Sequence, residues 1–299
     1  MTKVTVVIIT FLLFAGLFFL LSDKASSDEI NGNFLYVGGS EEGNYSSIQD
    51  AINNAEEKDT IFVYKGIYNE SILISKSINL IGEDKKETII RNNTAYIVKL
   101  YTTWINLSGF TIKDSDIAGI LIVDSYCNIY QNIITENRVG IIIESSRYIF
   151  PNNSKIFNNT ISNNRYLGIS IPKFLPADDF YSCSTNNIFY HNNFQNNTNH
   201  VKDNCNNIWS YNNEGNFWDD YSGLDKNNDG IGDNPYEIID ENNYDNYPLM
   251  MPYAGKLRLK EYYVDDEALY TMLFFGIIVA ILFCLPIAYV WYQKFHKAK

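Results

Sequence analysis

The chain has 299 residues, 23 basic against 35 acidic, giving a net charge of −12 and a pI near 4.7. This excludes a nucleic-acid partner, which needs clustered Lys and Arg, and the 46% hydrophobic content excludes general disorder. Four cysteines (Cys127, Cys183, Cys205, Cys284) without CxxC spacing and three histidines (His191, His200, His296) exclude a zinc ribbon and a His-rich metalloenzyme.

In chain order, residues 1–27 carry a basic start, an apolar run over 4–21 and a polar exit, which predicts a secretory signal or an uncleaved N-terminal anchor. Residues 46–55 then show a serine N-cap followed by helical apolar spacing. A strand is expected over 59–64, a turn at Lys65–Gly66 and another strand over 71–74. The helix is expected to lie over the first turn of the following body and shield its open end.

The body repeats. Leu107-Ser-Gly-Phe110-Thr-Ile112 returns as Ile129 to Ile134, Ile156 to Ile161 and Phe189 to Phe194, with Asn132, Asn159 and Asn192 at one position. A second phase runs Gly119-Ile-Leu-Ile, Gly140-Ile-Ile-Ile and Gly168-Ile-Ser-Ile. Two registers of short strands in a coil of about 22 residues predict an all-β solenoid over 28–215, whose stacked coils share one core. Of 38 asparagines, 25 fall between 151 and 250, and those at the repeated position are expected to form amide ladders along the stack.

Residues 216–252 are expected to cap the solenoid, with Phe217, Trp218 and Tyr221 sealing its end. A linker (253–270) follows, then an apolar transmembrane segment (271–292) and a basic tail (293–299). Acidic residues precede the span and lysines follow it, so the tail is expected in the cytoplasm and the bulk outside. Seven sequons, at Asn44, Asn69, Asn92, Asn106, Asn152, Asn158 and Asn196, all lie in that exterior part and are glycosylation candidates.

The segments 36–85 and 213–250 resemble the right-handed parallel β-helix proteins of the pectin-lyase-like superfamily, and more narrowly the NosD-type periplasmic copper-binding proteins. They are also similar to anchored archaeal surface proteins. The resemblance implies a β-helix over about 36–250 and a copper-delivery or maturation role. Against it, the exterior copper donors His191, His200, Met250 and Met251 show no paired spacing.

Asp225, Asn227, Asp229, Ile231 (through its carbonyl) and Asp233 place oxygens at alternate positions around Gly230, which points to calcium, with Asp233 or Glu237 completing the shell. The loop lacks the acidic twelfth residue of a helix–loop–helix calcium site, so a structural cation or a metal-free turn are both open readings. Asp124 and Glu144 follow equivalent strands and are the weak candidates for a glycosidase pair. Trp104, Trp209 and Trp218 are candidates for stacking on sugars, although aromatics in a narrow solenoid are more often core stacks or end caps. Cys183 and Cys205, 22 residues apart, are a possible disulfide. The preferred expectation is a membrane-anchored surface module with a polysaccharide or protein ligand. The alternatives are a carbohydrate-active enzyme and a copper-delivery factor.

Overall fold

The computed structural model describes residues 32–174, 183–239 and 243–254. Both long apolar runs of the sequence lie outside these residues, and among the described residues no helix is long and apolar enough to cross a membrane.

Short strands wind repeatedly through three parallel sheets. The first sheet runs from Phe34–Val37 through Thr60–Val63, Asn79–Gly82, Asn106–Ser108, Asn128–Tyr130 and Lys155–Phe157 to Ile188–Tyr190. The second runs from Gly66–Tyr68 to Phe217–Trp218, and the third from Ile72–Ile74 to Val201–Asp203. Each coil visits the three in that order. Ile112, Ile134, Ile161 and Phe194 are level with one another, and so are Ala118, Val139 and Leu167. These are the alignments of the repeats, because the core face must recur at the same point of every coil whatever is inserted between.

The bore is filled by Ile, Leu and Phe side chains with essentially no exposure, among them Leu80, Leu107, Ile129, Ile156 and Phe189. Where the bore would expose backbone at its corners, asparagines occupy it. Asn132, Asn159 and Asn192 are fully buried; the Asn159 and Asn192 amide oxygens each accept from the backbone and side-chain amides of the asparagine in the coil before, and the Asn132 oxygen accepts from the Phe110 backbone amide. Stacking therefore gives these buried amides and the backbone groups beside them their partners within the protein.

The helix Ile48–Asn54 plugs the first coil with Ile48, Ala51 and Ile52. Each end is held by a charge opposite in sign to that end of the helix dipole. The Glu70 carboxylate accepts from Ser47 Oγ and from the amides of Ile48 and Gln49 at 2.9–3.0 Å. Lys76 Nζ donates to the carbonyls of Ile52, Asn53 and Ala55 at the other end. The strand Phe34–Val37, unforeseen in the sequence, pairs with Thr60–Val63. Lys65–Gly66 is less a turn than the entry to a strand, since Gly66–Tyr68 joins the second sheet beside Thr88–Arg91.

At the far end, Phe194, Trp218 and Tyr236 stack in sequence at 4.3 and 4.2 Å, and Trp209 covers Phe189 at 4.1 Å. Tyr221 meets Tyr236 edge-on. A hairpin of Tyr236–Ile238 and Asn243–Asp245 completes the closure. Cys183 and Cys205 form a disulfide with Cα atoms 5.5 Å apart, tying the entry of the last full coil to its exit. Burial pushes the free thiol of Cys127 up to about 12, so it is an inert core group.

Candidate functional site

Three internal ladders converge on the C-terminal end, and each stops at a carboxylate. The first runs Asn132, Asn159, Asn192, Asn216 and ends on Asp245, whose Oδ2 also accepts from the Trp218 indole at 3.0 Å. The second runs Ser154, Asn187, Asn207 to Asp203, which holds the Trp209 indole at 3.1 Å. The third runs Asn137, Asn164, Asn197 to His200, whose ring passes it on to Asp219. A row of amides that donates onward at every step needs a final acceptor, and a carboxylate is the side chain that accepts without donating. Sequence reasoning missed these three aspartates. Each occurs once and, without the repeat that marks the asparagines, carries no signal in the sequence; Asp245 lies 29 residues from the asparagine it terminates.

His200, Asp219 and Asp220 are, among the described residues, the one group of three His, Cys, Asp or Glu side chains whose ligand atoms lie within 4.8 Å of one another. They border a polar cavity of about 290 Å³ with Asn197, Tyr236 and Glu237. His200 Nε2 is 2.8 Å from Asp219 Oδ1 and 3.3 Å from Asp220 Oδ1, and the Tyr236 hydroxyl donates to Asp220 Oδ2 at 3.2 Å. Burial and then the Asp220 charge drive the Tyr236 pKa well up, so the phenol stays a donor.

Copper(II) takes imidazole and carboxylate, whereas copper(I) prefers sulfur. The cluster supplies one imidazole, and both of its nitrogens are engaged. Asn197 Oδ1 is fixed by accepting from Asn164, which turns Asn197 Nδ2 onto His200 Nδ1 at 3.3 Å. That network assigns the ring proton to Nε2, where it points at Asp219. A metal at Nε2 would drive the proton to Nδ1, against an amide N–H. Of the two candidate methionines, the Met250 backbone amide donates to the Gly230 carbonyl and Met251 is 75% exposed. His191 lies apart, paired with Glu214 and stacked on Tyr253 at 3.9 Å. This donor set does not fit a copper centre.

The Asp225–Asp233 loop folds around its own oxygens. Asp225 accepts from the amides of Asp229 and Gly230, Asp229 from that of Ile231, and Asp233 from that of Lys226. Asn228 and Gly230 take left-handed conformations, with φ of 57° and 87°, which wraps the loop tightly. The Ile231 to Leu249 bridge and the Gly232 to Pro248 bond fasten it to the cap.

The other predicted residues are dispersed. The pairing of Ile122 with Ile143 puts Glu144 level with Val123, one position before Asp124, so the two carboxylates do not share a row. Asp124 turns back onto the Ser125 amide. Of the sequon asparagines, Asn69 and Asn196 are exposed. Asn106 donates to Asn79 in an outer ladder, Asn44 to Gly38, Asn92 to Ser71 and Asn152 to Phe150. Asn158 sits half-buried in a left-handed turn. Trp209 and Trp218 are buried, whereas Trp104 is 61% exposed.

Three parallel sheets wound into one coil, with internal amide ladders and a plug at each end, define a parallel β-helix protein. The chain belongs to the NosD family, described as periplasmic copper-binding protein, whose pattern matches residues 42–223, more than half of the chain. The calcium-type loop lies beyond that span. No curated protein sequence matches. Among solved structures the chain is similar to a pectin methylesterase from carrot, at 14% identity and a TM-score of 0.39, over 56% of this chain and 64% of that one. It is also similar to the pectin methylesterase PemA from Erwinia chrysanthemi, at 14% identity and a TM-score of 0.31, over 55% of this chain and 66% of that one. Likenesses this distant carry nothing about activity.

Proposed function

We propose that the chain is an exported, membrane-anchored surface module, a NosD-type β-helix whose outer wall binds a glycan or a surface protein. In this reading the Asp225–Asp233 loop holds a structural calcium ion. One observation supports it above the rest: the bore is sealed. Its buried asparagines are tied into ladders, its ends are plugged by the helix and by Trp209 and Trp218, and among the described residues apolar side chains fill it. What the fold offers to a partner is the lateral wall, where Tyr101, Trp104, Tyr148 and Tyr166 are each more than half exposed. The separation of Asp124 from the Glu144 row and the doubly bonded His200 ring favour binding over glycoside hydrolysis.

The full-length protein in detergent should bind envelope polysaccharide or envelope protein from its own source saturably, measured by co-sedimentation against each fraction. Failure to retain either fraction sinks the binding reading.

A further inference from the structure

The corner between the third and first sheets is built the same way in four successive coils. Trp104, Tyr126, Asn153 and Asn186 occupy it, each two residues before a paired position of the first sheet. All four are left-handed, with φ of 60°, 60°, 56° and 58°. Asparagine is the residue that tolerates this conformation, and a bulky aromatic there is an outlier. Two coils therefore carry an unfavourable residue where the next two show that asparagine suffices.

Nor do these aromatics serve the core. Trp104 is 61% and Tyr126 38% exposed, and their rings lie against each other at 4.6 Å and 13°. Tyr126 covers one face of the indole. On the other side the corresponding residue of the preceding coil is Ser77, too small to cover an indole and occupied in donating to the Thr103 carbonyl. One indole face is thus left open. Around it the chain is polar: Tyr101, Thr102 and Thr103 precede Trp104, and Asp124 and Ser125 precede Tyr126.

We propose that Trp104, backed by Tyr126, is a saccharide platform that takes an uncharged pyranose ring of a polysaccharide. The axial C–H groups of the sugar lie on the open indole face, and its hydroxyls meet the threonine and aspartate rim. This names the ligand class for the wall-binding reading above and rests on it. The net charge of −12 disfavours an anionic glycan. A protein partner is disfavoured by the size of the apolar surface. It amounts to one indole and one phenol in a polar surround, whereas a stable protein interface buries about 800 Å² on each side.

The test uses full-length protein in a detergent without a sugar headgroup, titrated calorimetrically with neutral hexo-oligosaccharides and with oligogalacturonate. Wild type should bind a neutral oligosaccharide in preference to the anionic one. W104N substitutes the residue that the later coils use. It should weaken binding at least tenfold while leaving the melting temperature unchanged or raised, because the left-handed backbone is relieved. Wild-type affinity in W104N overturns the platform yet leaves wall binding by another surface in place. A melting temperature several degrees lower in W104N, with sugar binding intact, marks a packing role and also overturns it. A wild type that binds no oligosaccharide but retains an envelope protein overturns the glycan class alone. Retention of neither removes this proposal together with the reading beneath it.

Discussion

Replacing Asn159 by alanine should destabilise the protein by about 3–4 kcal/mol, among the largest effects of any single substitution outside the aromatic core. Asn159 is fully buried, and its side chain makes five hydrogen bonds. Its oxygen accepts from the backbone and side-chain amides of Asn132. Its Nδ2 reaches the carbonyls of Ile129 and Phe157 and the Asn192 oxygen, and its own backbone amide also donates to Asn192 Oδ1. Truncation leaves the Asn132 amide and the Ile129 carbonyl buried without those partners, and it opens a void in a packed corner. Leucine, close in volume, should do no better, because the backbone groups stay unpaired. The exposed Asn69 serves as control, and its alanine variant should lie within about 0.5 kcal/mol of wild type. Urea unfolding of the three variants beside wild type measures the differences. A loss below 1 kcal/mol in N159A would mean that the ladder is ornament on a hydrophobic stack.

Asp245 should make stability fall as pH rises from 4 to 6. Burial raises its carboxyl from 3.8 to about 6, against the opposing pull of the amides of Asn216 and Tyr247 and the Trp218 indole. In the unfolded chain the group ionises near its ordinary value. The native state therefore binds more protons between the two, and this contribution is complete below 3.8 and lost as pH passes through 6. A shift of that size corresponds to about 2–3 kcal/mol. D245N cannot ionise and should flatten that part of the pH profile. It also sets an amide N–H toward donors, so it should be less stable than wild type at acidic pH. Alanine should be worse at every pH, by about 3 kcal/mol, since Asn216 and Trp218 then lose their acceptor. Thermal melts of the three forms across pH 4–7.5 separate the effects. A wild-type profile parallel to that of D245N would show that Asp245 ionises normally.

The fold was open to sequence reading where each coil must repeat the same physical solution. Ile112, Ile134, Ile161 and Phe194 must all face the bore, so their spacings of 22, 27 and 33 survive every insertion and match the pairing. The buried asparagines were legible for the same reason. Terminators were not, because Asp203, Asp219 and Asp245 occur once each and look like surface acids until the ladders above them are seen. Asp124 and Glu144 differ in register by a small count: Asp124 is five positions after Gly119, whereas Glu144 is four after Gly140. In a parallel stack that single residue moves a side chain out of the row. Trp104, Trp209 and Trp218 were indistinguishable as sequence, and their different fates depend on which corner or end each one reaches.

The most direct measurement is the melting temperature of the full-length protein titrated with calcium and, separately, with copper(II), in wild type, D229A and H200A. A ligand that binds only the native state stabilises by about 2.7 kcal/mol at a hundredfold excess over Kd, which is about 5–10 °C for a domain of this size. Calcium should raise the wild-type melting temperature saturably by that order, D229A should lose the shift and H200A should keep it, while copper produces no saturable shift that depends on His200. Absence of a calcium shift in wild type, or a saturable copper shift abolished in H200A, would contradict a calcium-supported surface module and return the metal to the His200 cluster.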